Sequence, residues 1–225
     1  MPSRFFVISG CAHADLDLPA KVFSALDVPC GHEEIFHAAA FERSGTLLWP
    51  QGVAGDASWF AAPVLDRLPE SSVVMHQVRD PLSNIQELLN ARFFERETQS
   101  RYFAEDFFFE LMEGEHVVRC MRYWLEWNRL IEATSFNQGL IYRRYRVEDF
   151  SAHRAAEQLA LVGLQRDAGR ARRAIDALRA APLRCQVMLT WNDLPDIPLT
   201  AELKATAESY GYRTSRRSVP RAFTV

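Results

Sequence analysis

The hydrophobic residues of the chain alternate between short β-branched runs and longer stretches with helical spacing. The clearest junction between the two patterns lies in Ser72–Asn90, SVVMHQVRDPLSNIQELLN. Its first part, Val73–Val78, is a mostly apolar run typical of a strand that is covered on both faces. Asp80 is a good N-cap residue and Pro81 suits the first helical position, so the pattern predicts a helix that begins directly after Arg79.

Similar runs along the rest of the chain predict further strands and helices. The strands are Arg4–Ser9, Val28–Gly31 and Leu140–Val147. The helices are Ala20–Leu26, Trp59–Leu68, His116–Thr134, Glu157–Gly163, Gly169–Ala180 and Ala201–Tyr210. Phe41–Ala57 is interrupted by glycine and proline and is interpreted as a loop, whereas Phe93–Glu115, rich in phenylalanine and acids, is interpreted as a helical flap.

This alternation favours an α/β fold with a central, mainly parallel sheet and helical additions. A length of 225 residues suits one compact domain better than two independent cores. We therefore expect a single domain, residues 1–225, with the flap at about residues 93–115 and a helical C-terminal part at about residues 151–225.

The composition restricts the cellular environment in which we expect the protein, and says less about the reaction or ligand. The chain is 48% hydrophobic and 24% charged, and no run approaches the roughly 18 apolar residues that span a membrane. The apolar part of the N-terminal stretch is too short for a secretory signal, so we expect a cytoplasmic protein. The four scattered cysteines do not form a disulfide framework. A net charge of −3 gives no support to nucleic acid as a partner.

Polar side chains follow two of the predicted strands. Arg79 ends the Val73–Val78 strand, and His32 and Glu33 follow Val28–Gly31. Because the carboxyl ends of parallel strands share one edge, we expect these three side chains to line one cleft, with Arg79 placed to hold an anion. The alternatives are a salt bridge from Arg79 to Asp80 or Glu33, and a helix-capping role for His32 and Glu33.

The order of motifs carries a family resemblance over most of the chain. A strand, loop and helix are followed by Cys30-Gly31-His32-Glu33, Gly55-Asp56-Ala57-Ser58-Trp59, HQVRDPLSNI, YWLEWNRLIE and YRRYRVEDF. This order resembles the bacterial P-loop sulfotransferase-like family. The resemblance implies a P-loop NTPase-like three-layer domain and transfer of a sulfuryl group from 3′-phosphoadenosine 5′-phosphosulfate (PAPS) to a hydroxyl or amine of a small-molecule or glycan acceptor.

The resemblance also implies roles for individual residues. The loop after the first strand, with Ser9 and Gly10, would hold the 5′ side of PAPS, and His13 stands where the family has a basic residue. Arg79, with Ser83 and Glu87 on the following helix, would face the 3′-phosphate. His32 or Glu33 would act as the catalytic base that removes the acceptor proton.

Four positions, His13 among them, depart from the family pattern at the two ends of the donor site. Asp15 and Leu16 replace a Gly-Thr pair in the loop, and Glu87 replaces a serine. A carboxylate at about 4 Å repels a phosphate by roughly 1 kcal/mol or more. Histidine, with an ordinary pKa of roughly 6.5, is a weak substitute for lysine or arginine. Two hypotheses follow: an active sulfotransferase, or a non-catalytic relative that binds a ligand or protein partner through the same cleft.

Two further motifs compete with this interpretation. Residues 43–49, RSGTLLW, spell the missing loop, but no strand-like pattern precedes them and Pro50 interrupts the helix that should follow. Cys11-Ala12-His13 and Cys30-Gly31-His32 would place four soft ligands near each other if their strands were neighbours. The spacing within each pair is short for zinc, so buried unreactive cysteines are the default interpretation and no metal is assigned.

Overall fold

The computed structural model contains a five-stranded sheet in which every pair of neighbouring strands is parallel. It describes residues 4–37, 47, 49–165, 167–179, 188–195 and 197–214. The strands, in the spatial order β2-β3-β1-β4-β5, are β1 (Phe6–Ser9), β2 (Cys30–His32), β3 (Gly55–Ala57), β4 (Val73–Val78) and β5 (Ile141–Arg146).

Helices cover both faces of this sheet and give three layers. They are α1 (Asp17–Ala25), α2 (Pro81–Asn90), α3 (Gln99–Phe107), α4 (His116–Asn137), α5 (Ala152–Leu161), α6 (Ala168–Arg179) and α7 (Pro198–Ser209), with 3₁₀ helices at Trp59–Arg67, Phe109–Met112 and Val147–Asp149. On one face the ring of Phe6 packs on Phe23 of α1. On the other face His76 of β4 is hydrogen-bonded to Asn128 of α4.

The predicted strand-to-helix joint is confirmed. Every residue of β4 is buried, and Asp80 caps α2 by accepting the Ser83 N–H while Pro81 occupies the first turn. The predicted parallel α/β class is also confirmed. β1, β2 and β5 lie within one or two residues of the predicted strands, with His32 as the last residue of β2 instead of following it.

One strand was missed, because Gly55–Ala57 has no apolar run and follows a segment rich in glycine and proline. Gly55 is nevertheless required in β3, since a Cβ there would lie 2.3 Å from the ring of Phe6. The prediction of a loop through Ala57 was therefore wrong at its end. Most of the alternative phosphate-loop motif, residues 43–46 and 48, lies outside the described residues.

The predicted flap is a short helix and a 3₁₀ turn that pack against α4. Phe103 of α3 contacts Trp59 and Trp127 through its ring, and Phe93 contacts Tyr123. The helix predicted at Trp59–Leu68 is a 3₁₀ helix interrupted near Pro63, as expected where proline removes a backbone donor. Within the described ranges, no helix is long and apolar enough to cross a membrane.

Candidate functional site

The loops that follow β1, β2 and β4 meet at the carboxyl edge of the sheet. β1 lies between β3 and β4, so the loop after β1 separates the end of β2 from the end of β4. In parallel α/β sheets this edge is where ligands bind. The sequence-predicted residues are distributed along it, with Arg79 at one end and His32 and Glu33 at the other.

Arg79 is held by the protein's own acids. Its guanidinium lies 3.5 Å from an Asp15 carboxylate oxygen and 3.7 Å from a Glu87 carboxylate oxygen. It also donates a 2.6 Å hydrogen bond to the backbone carbonyl of His13. The salt bridge from Arg79 to Asp80 or Glu33, considered from the sequence, was wrong in its partners, because Asp80 caps α2 instead. We name the set of Asp15, Arg79 and Glu87 the arginine clasp.

The loop after β1 is fixed by side chains from the layers beneath it. The Ala12 N–H donates to the Tyr123 hydroxyl at 2.8 Å. Asn84 Nδ2 donates to the Ala12 carbonyl at 2.9 Å, and Gln77 Nε2 donates to the Ala14 carbonyl. In a phosphate-binding loop the backbone N–H groups donate to the ligand, whereas the Ala12 N–H already donates to the Tyr123 hydroxyl.

The backbone of this loop takes up left-handed conformations at residues that are not glycine. His13 has φ 61° and Asp15 has φ 57°, a region that is uncommon for residues with a Cβ. Gly10 is needed for packing, because a Cβ there would lie 2.2 Å from the backbone oxygen of Gln77. The glycine predicted to cradle a phosphate therefore has a structural reason in the close approach of β1 and β4.

His13 does not supply the missing positive charge. Partial desolvation by the surrounding protein lowers the pKa of its imidazole below the ordinary value, although the nearby Glu87 carboxylate acts in the opposite direction. Its ring packs edge-on to Phe93, with ring centroids 6.2 Å apart. His13 is exposed to solvent on one side, but the desolvation of its ring favours the neutral imidazole near neutrality.

His32 and Glu33 lie at the far end of the edge. His32 is exposed and within electrostatic range of Asp17 and Glu33. Glu33 has φ 56° and donates its N–H to the Ala57 carbonyl at 3.1 Å. Burial raises the pKa of the Glu33 carboxyl, the direction expected of a general base that works near neutrality.

Sequence reasoning missed the residue that shapes the chain around Glu33. Asp56 of β3 is fully buried, and its carboxylate accepts the backbone N–H groups of Glu34, Ile35 and Phe36. Ser58 assists by donating to the Phe36 carbonyl at 2.7 Å. The available signal was an aspartate placed directly after a glycine within an otherwise uncharged segment, residues 52–59.

Two serines assigned to the donor site have other surroundings. Ser83 donates its hydroxyl to the capping carboxylate of Asp80 at 2.9 Å. Ser9 is completely buried, and its hydroxyl oxygen has no hydrogen-bond partner among the described residues. Ser83 therefore belongs to the helix cap, and Ser9 to the interior between the sheet and α4.

Glu148, which follows β5, connects the end of that strand to this edge through hydrogen bonds. Glu148 accepts the Asp80 N–H at 2.8 Å and the Tyr212 hydroxyl at 2.9 Å. Arg146 pairs with Asp149 and donates to the Gly211 carbonyl at 2.7 Å. The segment after α7 thus helps to fix the turn that carries Arg79.

The cysteines near the edge are not arranged as metal ligands. The Cys11 thiol points at the Trp124 carbonyl and accepts from Asn128 Nδ2, and burial raises the pKa of the Cys11 and Cys30 thiols. Across the part of the chain that the structure describes, no group of three or more His, Cys, Asp or Glu side chains could hold a metal ion. The four-ligand arrangement weighed from the sequence is therefore not formed.

The chemistry available at the edge is thus an arginine neutralised by two acids, a mainly neutral histidine and a glutamate with a raised pKa. Comparisons with known proteins add no family to this description: no protein-family model and no curated protein matches the chain.

Proposed function

We propose that this chain is a sulfotransferase-like protein of P-loop NTPase-like architecture that no longer binds the adenylate donor, PAPS. In this proposal it is a non-catalytic relative that binds a ligand or a protein partner through the carboxyl edge. The arginine clasp is the observation that carries the proposal, because the two carboxylates occupy the positions around Arg79 that a phosphate would need.

The residues present do not fit PAPS. A phosphate near Arg79 would face the Asp15 and Glu87 carboxylates, which lie 3.5 and 3.7 Å from the guanidinium. At the other end of the site, the Ala12 N–H is hydrogen-bonded to Tyr123, and partial desolvation of the ring keeps His13 mainly neutral. The two carboxylates repel a phosphate, and the Ala12 N–H is not free to donate to it, so both features oppose phosphate binding.

An active enzyme is the second candidate, and Glu33 favours it. Burial raises the pKa of its carboxyl, and such a group could accept a proton from an acceptor hydroxyl. In this candidate PAPS must displace Asp15 and Glu87 from Arg79. A measurement of donor-product binding therefore tests both candidates.

The test is calorimetric titration with 3′-phosphoadenosine 5′-phosphate, the desulfated product of the donor. We expect weak binding to the wild type and an affinity higher by about tenfold or more in Asp15→Gly/Glu87→Ser, because the repulsion is lost, glycine suits the left-handed φ at position 15, and serine adds a donor. All titrations use one ionic strength, since exposed charges are screened by salt.

The matched control is Asp66→Asn/Glu70→Gln, which changes net charge equally but lies before β4, at the opposite end of that strand from Arg79. It should bind like the wild type. Low-micromolar binding by the wild type, with no gain in the clasp variant, would contradict the proposal and restore the active-enzyme hypothesis.

A further inference from the structure

A surface cavity of about 390 Å³ lies between β5 and α5. It is lined by Arg143 of β5 and by Arg154, Glu157, Gln158, Ala160 and Leu161 of α5. Arg4, which precedes β1, donates to the Leu161 carbonyl at 3.1 Å, so this end of the cavity lies towards the amino edge of the sheet. The cavity is therefore separate from the carboxyl edge that carries Arg79.

Gln158 is the polar group at the base of this cavity. Gln158 is 1% exposed, and its amide oxygen has no hydrogen-bond partner among the described residues. The Tyr145 hydroxyl donates its proton to Gln77 at 2.6 Å, and its oxygen accepts from the Gln158 amide nitrogen, so the Gln158 carbonyl oxygen is the atom left without a partner. Buried amide oxygens are almost always hydrogen-bonded, so the unpaired Gln158 oxygen beside this cavity indicates a place for a polar ligand group.

The charges around the cavity favour an anion. Arg154 pairs with Glu157 at 2.8 Å, and Glu157 also contacts His153 at 3.2 Å. Arg143 has no ion-pair partner within the described ranges, which leaves two guanidinium groups against one carboxylate. Guanidinium groups bind carboxylate and phosphate oxygens through paired hydrogen bonds.

We propose that this cavity is a binding site for a small organic oxyanion, such as a phosphate monoester or a carboxylate. The anionic head contacts Arg143 and Arg154, a polar atom of the ligand satisfies Gln158, and the body of the ligand lies against Ala160 and Leu161. The volume falls within the range of about 300–1,000 Å³ typical of small-molecule sites. The proposal does not depend on the function assigned to the carboxyl edge.

The experiment is calorimetric titration of the full chain with phenyl phosphate, with inorganic phosphate and benzoate as separate arms. We expect saturable binding of phenyl phosphate to the wild type and a loss of affinity of about tenfold in Arg143→Gln. The control is Arg172→Gln, which removes an exposed arginine of α6 and should bind like the wild type. Weaker binding of inorganic phosphate than of phenyl phosphate would support a contribution from the apolar wall.

Gln158→Leu supplies a second and independent measurement. It should weaken phenyl phosphate binding while changing the melting temperature of the unligated protein little, because the variant removes an unpaired buried oxygen together with one hydrogen bond to Tyr145. Equal affinity in Arg143→Gln and Arg172→Gln, or no saturable binding of any of the three probes, would overturn the proposal. Loss of binding in Arg79→Gln in place of Arg143→Gln would move the site to the carboxyl edge and overturn it equally.

Discussion

His76 is a buried histidine whose hydrogen bonds define its protonation state. Asn128 Nδ2 donates to the Trp124 carbonyl at 2.6 Å, which turns Asn128 Oδ1 towards His76 Nε2 at 2.8 Å. Nε2 must therefore carry the proton, and Nδ1 accepts from the Tyr142 hydroxyl at 2.7 Å. This tautomer is inferred from the network of donors and acceptors. Burial lowers the pKa of His76 to about 3, so the folded protein holds it neutral.

His76 should make the folded state sensitive to acid. Because its pKa falls from an unfolded value of about 6.5 to about 3 in the folded state, its stabilising effect is complete above pH 6.5 and is lost as the pH falls towards 3. We expect the free energy of unfolding to fall in this window by up to about 1.4 kcal/mol per pH unit from this group. Urea unfolding between pH 7 and 4 measures this slope.

Two histidine variants separate the contribution of His76 to the pH dependence of stability from the contribution of the acidic residues. His76→Gln keeps a donor towards Asn128 but cannot take up the proton, so its stability should depend less steeply on pH. His153→Gln changes a histidine whose side chain is 86% exposed and should keep the wild-type slope. Parallel curves for the wild type and His76→Gln would show that His76 does not titrate in this window.

At the scale of elements, a buried charge cluster fastens α3 and the turn after it to α4. Glu105 of α3 has a side chain that is 4% exposed, and it pairs with both Arg119 and Arg101. Arg119 of α4 also donates to the carbonyls of Phe94 and Leu111. One arginine thus joins the three segments that form the flap.

Removing the charge of Glu105 should loosen this flap. Glu105→Gln keeps the shape of the side chain but leaves the Arg119 guanidinium without its carboxylate, so we expect the free energy of unfolding to fall by about 3 kcal/mol. Hydrogen exchange of the α3 amides should accelerate more than that of β4 amides. Denaturant unfolding and exchange mass spectrometry measure the two effects.

Glu202→Gln serves as the control for this change, because Glu202 pairs with Arg129 at 2.6 Å in a pair whose side chains are 39% and 48% exposed. Exposed pairs contribute about 0–1 kcal/mol. Similar losses in the two variants would mean that the Glu105 pair does not bind the flap more strongly than a surface pair does.

The elements predicted correctly from the sequence are those whose own residues show an apolar run, a capping residue or a proline. β4 and α2 carry an apolar run, a cap and a proline, so their boundaries were accessible without tertiary contacts. β3 is a three-residue strand whose existence depends on partners in β1 and β2, and no local pattern reports such partners. The 3₁₀ form of Trp59–Arg67 likewise depends on how Pro63 and its neighbours pack.

The candidate site was predictable in its residue types but not in its pairings. The strand pattern placed Arg79 at this edge because Arg79 follows a strand end, and the family resemblance placed Asp15 and Glu87 near it. The sequence could not show that both acids lie against the arginine, nor that Asp56 accepts three backbone N–H groups, because these contacts join residues far apart in the chain. Whether the edge excludes the adenylate donor stays a prediction.

At the scale of the whole molecule, protection from solvent is uneven across the sheet. β2 is a three-residue edge strand, and Cys30 within it is 9% exposed. Cys11 and Cys120, at 2% and 0% exposed, lie beside the central strand β1 and within α4. Short edge elements open at a lower free energy than the centre of a fold.

Thiol labelling should reveal this order of opening. In a Cys185→Ser background we expect Cys30 to react first, and Cys11 and Cys120 later and together, because the last two need more complete unfolding. Burial raises the pKa of each thiol, so labelling of the closed state is slow. Mass spectrometry of peptides labelled at increasing urea concentration gives the three rates, and equal rates at every concentration would indicate one cooperative transition instead.

The arginine clasp also constrains the order in which mutations can accumulate. Its three positions come from the loop after β1, the end of β4 and the middle of α2, so a change at one alters the selective value of changes at the others. Neutralising Arg79 first leaves two carboxylates side by side without a counter-charge, whereas neutralising the acids first leaves a cation open to solvent anions. Losing the acids first therefore gives a more stable intermediate than losing Arg79 first, which leaves two unpaired carboxylates. We expect substitutions of Asp15 and Glu87 to precede a substitution of Arg79.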